Sequence, residues 1–279
     1  MCAPSRRRLA AVIAFVVAAA LAPLPAVAAA ACERKFTVGV AELGWGLYRE
    51  RGELRGVVPD LLAELARRSG CTFVMEVRPR ARLVADYQAG AVDIITSSYR
   101  TPERDGAGQF MPYAYTEMDL VLADTVPKAV DSAERLAAEP SLVLGSVRGN
   151  YGGEIVAEVF NRLTAAGRLE LASDFENLTT RLEAGRFSAG AYPAIIHSKF
   201  FSDGRLRGFR VVRFGQTQPD PIGLYVNHSR VTPADREHIA AALQAVVKAD
   251  GVRKIYRRYL TAEEVRRLFR LDAQGAAAR

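Results

Sequence analysis

Histidine and cysteine are both scarce, three of each among 279 residues. His197, His228 and His238 stand too far apart in sequence to read as a metal-ligand cluster, and no cofactor is implied. So few cysteines exclude a disulfide-dense scaffold. Beyond the N-terminus no run is long and apolar enough to span a membrane, which needs roughly 20 residues. A basic stripe interleaved with aromatics is also missing. The basic residues of Arg253–Arg258 and Arg266-Arg267 fall at helical spacing among apolar positions, which suits a solvated helix face, so nucleic acid is not an expected partner.

What the N-terminus does have is a leader pattern. Arg6, Arg7 and Arg8 precede an apolar stretch from Leu9 to Leu21, and small residues around Ala26-Val27-Ala28 and Ala29–Ala31 offer cleavage sites. A secretory signal over 1–31 is expected, and with it a periplasmic protein. A lipoprotein reading would use Cys32, but alanines stand before it where a leucine is usual. Losing the three leader arginines lowers the net charge from +7 to +4. Cys2 leaves as well, so Cys32 and Cys71 remain, each just before a strand-like stretch, Phe36–Val40 and Thr72–Val77. If those strands are parallel neighbours, the thiols lie side by side and a disulfide follows in an oxidising compartment; the alternative is two free thiols.

From residue 36 the pattern alternates. Phe36–Val40 suits a strand; Val57–Ser69 carries Val58, Leu61, Leu62 and Leu65 at helical spacing and stops at Gly70. Thr72–Val77 is strand-like, Arg80–Ala89 helical, and Ala91–Ile95 a buried strand. Leu142–Gly145, Gly153–Leu163, Asp174–Ala184 and Phe187–Tyr192 repeat the theme, with Asp119–Ala123 and Pro221–Val226 as crossover strands. Thr232-Pro233 and Thr261–Glu264 read as helix starts. The class is α/β, with a first lobe over 32–118, a second over 119–220, a return to the first over 221–272, and a disordered tail over 273–279.

The most telling stretch is Ala91–Arg104, closed by Phe110-Met-Pro-Tyr113. An apolar run opens onto Thr96-Ser97-Ser98-Tyr99 and then Thr101-Pro-Glu-Arg104, where hydroxyls, backbone N–H groups and a guanidinium suit a carboxylate. This stretch resembles the signature of family 3 of the periplasmic solute-binding proteins, those of amino-acid ABC transporters. Gly56–Asp60, Gly90–Asp93, Gly145–Tyr151 and Gly185–Tyr192 match further family segments in the same order, so the resemblance spans nearly all of the exported chain. It implies a type II two-lobed periplasmic binding protein fold with two crossover strands and a ligand cleft between the lobes.

In that family the arginine after Thr-x-x holds the ligand carboxylate, which implies Arg104. Ser97 and Ser98 are either donors to ligand or caps of their own loop. Trp45 and Tyr48 follow the first strand where the family places a stacking aromatic; packing on the sheet edge is the other reading. Arg148, Asn150 and Tyr151 sit in a turn before a helix, a natural anion site. The family's ammonium-binding aspartate falls at Pro193 here, beside Tyr192, so a carboxylate-bearing ligand is expected without α-amino specificity; Glu117 or Asp119 could substitute. The resemblance implies a monomer that captures a small solute and has a membrane permease, or a membrane sensor, as partner. A cyclic-dienyl dehydratase is the enzymatic alternative, with Glu117 or Glu154 as its general acid.

Overall fold

The computed structural model describes residues 32–150, 152–215 and 218–270. The expected leader, Tyr151 and the expected disordered tail lie outside the described residues. In the first half, β1 (Lys35–Val40) leads through a short 3₁₀ turn (Gly44–Gly46) to a hairpin of β2 (Tyr48–Glu50) and β3 (Glu53–Arg55). There follow α1 (Val57–Ser69), β4 (Thr72–Val77), α2 (Arg80–Gln88), β5 (Ile94–Tyr99), α3 (Pro102–Asp105) and β6 (Gly108–Thr116). β1 buries Phe36, Val38 and Val40 on one face, and α1 covers them with Leu61, Leu62 and Leu65. α1 stops where Gly70 takes a left-handed φ of 73° and returns its N–H to the Ala66 carbonyl.

The second half runs β7 (Met118–Ala123), α4 (Ala133–Ala138), β8 (Leu144–Val147), α5 (Gly153–Ala165), β9 (Leu169–Ala172), α6 (Phe175–Glu183), β10 (Ala189–Pro193), α7 (Ala194–Ser202) and β11 (Phe209–Arg213). β12 (Asp220–Asn227) then returns to the first sheet, followed by α8 (Pro233–Lys248), α9 (Gly251–Tyr256) and α10 (Ala262–Leu268). The sheets are ordered β4-β1-β5-β12-β6 and β11-β7-β10-β8-β9, one per lobe. Thr232 and Thr261 cap α8 and α10, the latter in a full capping box with Glu264.

Some boundaries moved. Asp119–Ala123 and Pro221–Val226 are not spans between lobes: β7 pairs with β10 and β11, and β12 with β5 and β6. The first chain crossing is compressed to Glu117, between β6 and β7. The strand expected at Ala91 begins at Ile94 and continues through the supposed loop to Tyr99. Asp93 stands just before that start. Its carboxylate accepts from the Thr37 N–H and hydroxyl (2.8 Å each), from Arg34 (2.8 and 3.1 Å) and from Arg230 (3.1 Å). Its side chain therefore ties the strand mouth together, while its backbone N–H donates to the Thr37 carbonyl (3.1 Å) and its carbonyl accepts from the Asn227 N–H (2.9 Å).

Burial pushes the Asp93 carboxyl up, but the bonds from Arg34 and Thr37 outweigh that and hold it at about 2. A depressed folded pKa stabilises the fold above the unfolded carboxylate range, and the contribution is lost as pH falls through about 2. Between pH 4 and 2 the wild-type unfolding midpoint should fall more steeply than that of Asp93→Asn, followed by circular dichroism; parallel curves would count against the network.

The condition set for the disulfide is met: β1 and β4 are parallel neighbours, with Lys35 opposite Thr72. Cys32 and Cys71, just before them, are joined by a disulfide with Cα atoms 4.9 Å apart.

Candidate functional site

Parallel strands deliver their loops to one edge, and ligands of open α/β sheets gather at the carboxyl ends of the strands. Here β1 leads to Leu43–Gly46 and β4 to Arg80, and with Ser97 and Tyr99 at the end of β5 they border one cavity between the lobes. The second lobe closes it with Val147, Gly149 and Asn150 after β8, Phe175 at the start of α6, and Pro193, Ile195 and Ile196 around the start of α7. Thr116 and Ile222 line it where the chain passes between sheets, and Tyr256 reaches it from α9. The lobes meet closely beside it. Gly44 has φ +56°, and a Cβ there would lie 2.5 Å from the Ile196 Cα, so only glycine fits this contact.

The most polar wall is built around a kink. Ser97 sits in β5 with φ +51°, uncommon for a residue with a side chain, and the β5–β12 register shifts between Gly223 and Tyr225. The bulge turns the carbonyls of Thr96 and Ser97 toward Arg80, whose guanidinium donates to them at 3.4 and 3.0 Å. Ser97 Oγ lies 3.2 Å from the Tyr113 hydroxyl, which fixes the kink from the first-lobe core. Burial, with the charge of Arg104 beside it, pulls the Arg80 guanidinium down to about 10, so it stays cationic at neutral pH.

The residues singled out from sequence divide into three groups. Ser97 and Asn150 line the cavity, Asn150 with its amide 3.5 Å from Ser146 Oγ. Tyr48 borders a wider outer vestibule that shares Leu43, Arg80, Val147 and Phe175 with the inner cavity. The others lie off the lining. Arg104 is 8% exposed, with one guanidinium nitrogen donating to the Tyr99 carbonyl (2.8 Å) and Nε buried without a partner. Ser98 is fully buried and donates to the Thr96 carbonyl. Trp45 packs edge-on to Tyr48 (5.3 Å) under the Lys199 ammonium. Arg148 is exposed, and Tyr192 lies in the second-lobe core with its hydroxyl 3.1 Å from Thr179 Oγ1. Sequence reasoning missed Arg80 and Phe175, although the Arg-Pro-Arg that follows β4 stands at the carboxyl edge where ligand loops belong.

Neither acid offered as a substitute ammonium partner is free for that role. Asp119 receives two bonds of 2.7 Å from Arg267 and one of 2.9 Å from His197. Glu117 receives two from Arg270, at 2.9 and 2.8 Å. Glu154, the other candidate general acid, is exposed on α5 and lies outside the lining.

Residues 37–262 match the family model of bacterial extracellular solute-binding proteins, family 3. The chain belongs to this family. No curated protein matches it. Among solved structures, an ancestral arginine-binding protein bound to arginine superposes on this family 3 chain with a TM-score of 0.69 at 19% identity, over 81% of this chain and 98% of that one. The arginine-, lysine-, histidine-binding protein ArtJ of Geobacillus stearothermophilus gives 0.70 at 17%, over 81% and 95%. An ancestral amino acid-binding protein, a precursor of cyclohexadienyl dehydratase, gives 0.66 at 17%, over 81% and 95%. At such identities the likeness establishes the two-lobed fold, and the cleft of this family 3 member has to be read from its own residues. Among the described residues no helix is long and apolar enough to cross a membrane.

Proposed function

We propose that this family 3 protein is exported, captures a small carboxylate-bearing solute between its lobes in the periplasm, and presents it to the permease of an ABC transporter. The observation that carries the reading is the Arg80–Ser97 wall, a cation and a kinked hydroxyl segment facing Asn150 across a cavity walled by both lobes. A ligand held by both walls favours the closed arrangement through contacts that an open one lacks, which gives a transporter something to recognise. Arg104 supports the site from behind, through the Tyr99 carbonyl and its own charge. The family membership and the arginine-binding neighbours make amino acids and related carboxylates the first compounds to try.

The test has two parts. A thermal-shift screen of the leaderless protein against amino acids, carboxylates, amines and short peptides should yield a ligand, and Arg104→Ala should weaken it. Disruption of the gene should then slow uptake of that solute. Binding without any uptake defect would move the reading to a membrane sensor, and turnover of a cyclic dienyl acid would move it to an enzyme.

A further inference from the structure

Arg80 is the one charged side chain among the described residues lining the inner cavity. The hydrogen bonds of its guanidinium go to carbonyl oxygens, and among the described residues no carboxylate pairs with it. The outer vestibule, which Arg80 also borders, has most of its other charges in ion pairs, and the Asp174 carboxylate there accepts from the Ser173 hydroxyl and the Asn177 N–H. Glu42 pairs with Arg49, Asp203 with Lys199 and Glu176 with Arg205, while Arg78 is held by Glu76 and Asp86. Among the cations of the two chambers, Arg80 is thus left without a carboxylate partner, where the inner cavity meets the vestibule, and the Arg104 cation adds to its charge.

Apart from the neutral polar groups of Ser97, Tyr99, Thr116, Asn150 and Tyr256, the rest of the lining is apolar. Leu43 and Val57 face it from the first lobe, and Val147, Phe175, Ile195 and Ile196 from the second. An ammonium brought here would lose its water, find only neutral acceptors such as Asn150 and Thr116, and sit near an uncompensated guanidinium. A carboxylate would instead complete Arg80 through a charge-assisted pair.

We propose that the cleft selects a monocarboxylate with a branched or aromatic apolar body and no ammonium group, of the 2-oxo, 2-hydroxy or simple carboxylic acid class, with Arg80 setting that charge preference. This rests on the solute-binding reading above and names its ligand class. Arg80 meets the carboxylate, Ser97 and Asn150 take the neutral polar substituent beside it, and Phe175 with the isoleucines encloses the body.

The experiment is calorimetry on the leaderless full chain with matched sets. One set is L-phenylalanine, phenylpyruvate, 3-phenylpropionate and phenethylamine; the other is L-leucine, 4-methyl-2-oxopentanoate, 4-methylpentanoate and isopentylamine. The oxo or simple acids should bind at least about tenfold more tightly than the amino acids, and the amines should not bind. Arg80→Gln should weaken the acids by about thirtyfold or more, with Arg80→Lys recovering part of the loss. Unchanged thermal midpoints without ligand would show that both variants fold. Tighter binding of an amino acid than of its oxo or simple acid overturns this inference and leaves the solute-binding reading standing. Equal affinity of wild type and Arg80→Gln also overturns it. No binding by any member of either set overturns the inference, while a hit elsewhere in the broad thermal-shift screen would still uphold solute binding.

Discussion

Asp119→Ala is expected to lower the unfolding free energy by about 3–5 kcal/mol, the range for breaking a buried ion pair from one side. The Asp119 side chain is 1% exposed and that of Arg267 10%. Both terminal guanidinium nitrogens of Arg267 donate to the carboxylate at 2.7 Å, and His197 Nε2 approaches at 2.9 Å. Truncation leaves a guanidinium in a poorly solvated place. It also leaves His197 with neither ring nitrogen bonded, because Nδ1 is already buried without a partner.

The clamp joins two bodies. α10 packs Val265 and Leu268 into the first-lobe core, while its Arg267 holds β7 of the second sheet and its Glu264 accepts from Ser198 on α7. Loosening it should therefore cost the interlobe arrangement as well as global stability. Burial raises the Asp119 carboxyl, but the His197 and Arg267 bonds outweigh that and hold it below the usual carboxylate range. Its contribution is thus present above that range and lost as pH falls through the depressed value. Urea denaturation followed by circular dichroism would measure the loss, and a change under about 1 kcal/mol would sink the assignment. A double variant, Asp119→Ala with Arg267→Met, should be more stable than Asp119→Ala alone, because no charge is then left unpaired.

The alternation of β1, α1, β4 and α2 was legible in the sequence because each element carries its own local signal. α1 has an apolar stripe and a glycine stop, β4 is bounded by Cys71 and Arg78, and α10 begins in a capping box. Tertiary partners leave no such signal. Nothing in Ala91-Val-Asp93 reveals that the Asp93 side chain will be bound by Arg34 and Arg230, from far away in the chain.

The site divides in the same way. Ser97 and Asn150 were found because they sit in recognisable loop motifs. Arg80 was passed over as a helix residue because its role depends on a kink in β5 turning two carbonyls toward it, which no local pattern encodes. The resemblance sets Tyr192 at the ligand, beside the position of the missing aspartate. β10 instead turns it into the second-lobe core and presents Pro193 to the cavity, since side chains alternate along a strand.

Replacing Cys32 and Cys71 together by serine should destabilise the protein by about 2–4 kcal/mol, with little effect on ligand affinity. The two cysteines are 39 residues apart, and cross-linking a loop of that length removes close to 4 kcal/mol of chain entropy from the unfolded state in the simplest model. Cys71 is buried, and its partner pins the start of β1, a strand paired on both sides, to the start of β4. The expected separation of stability from binding follows from strand direction. The bond lies before the amino ends of β1 and β4, whereas the loops reaching the cavity leave their carboxyl ends at Leu43 and Arg80. Denaturation of the oxidised protein, the reduced protein and the double serine variant should place the last two together, well below the first. Mass spectrometry with and without reductant would report the bond itself. Coincident denaturation curves for all three would show that the disulfide contributes nothing, and a large loss of affinity in the serine variant would show that the two edges of the sheet are coupled after all.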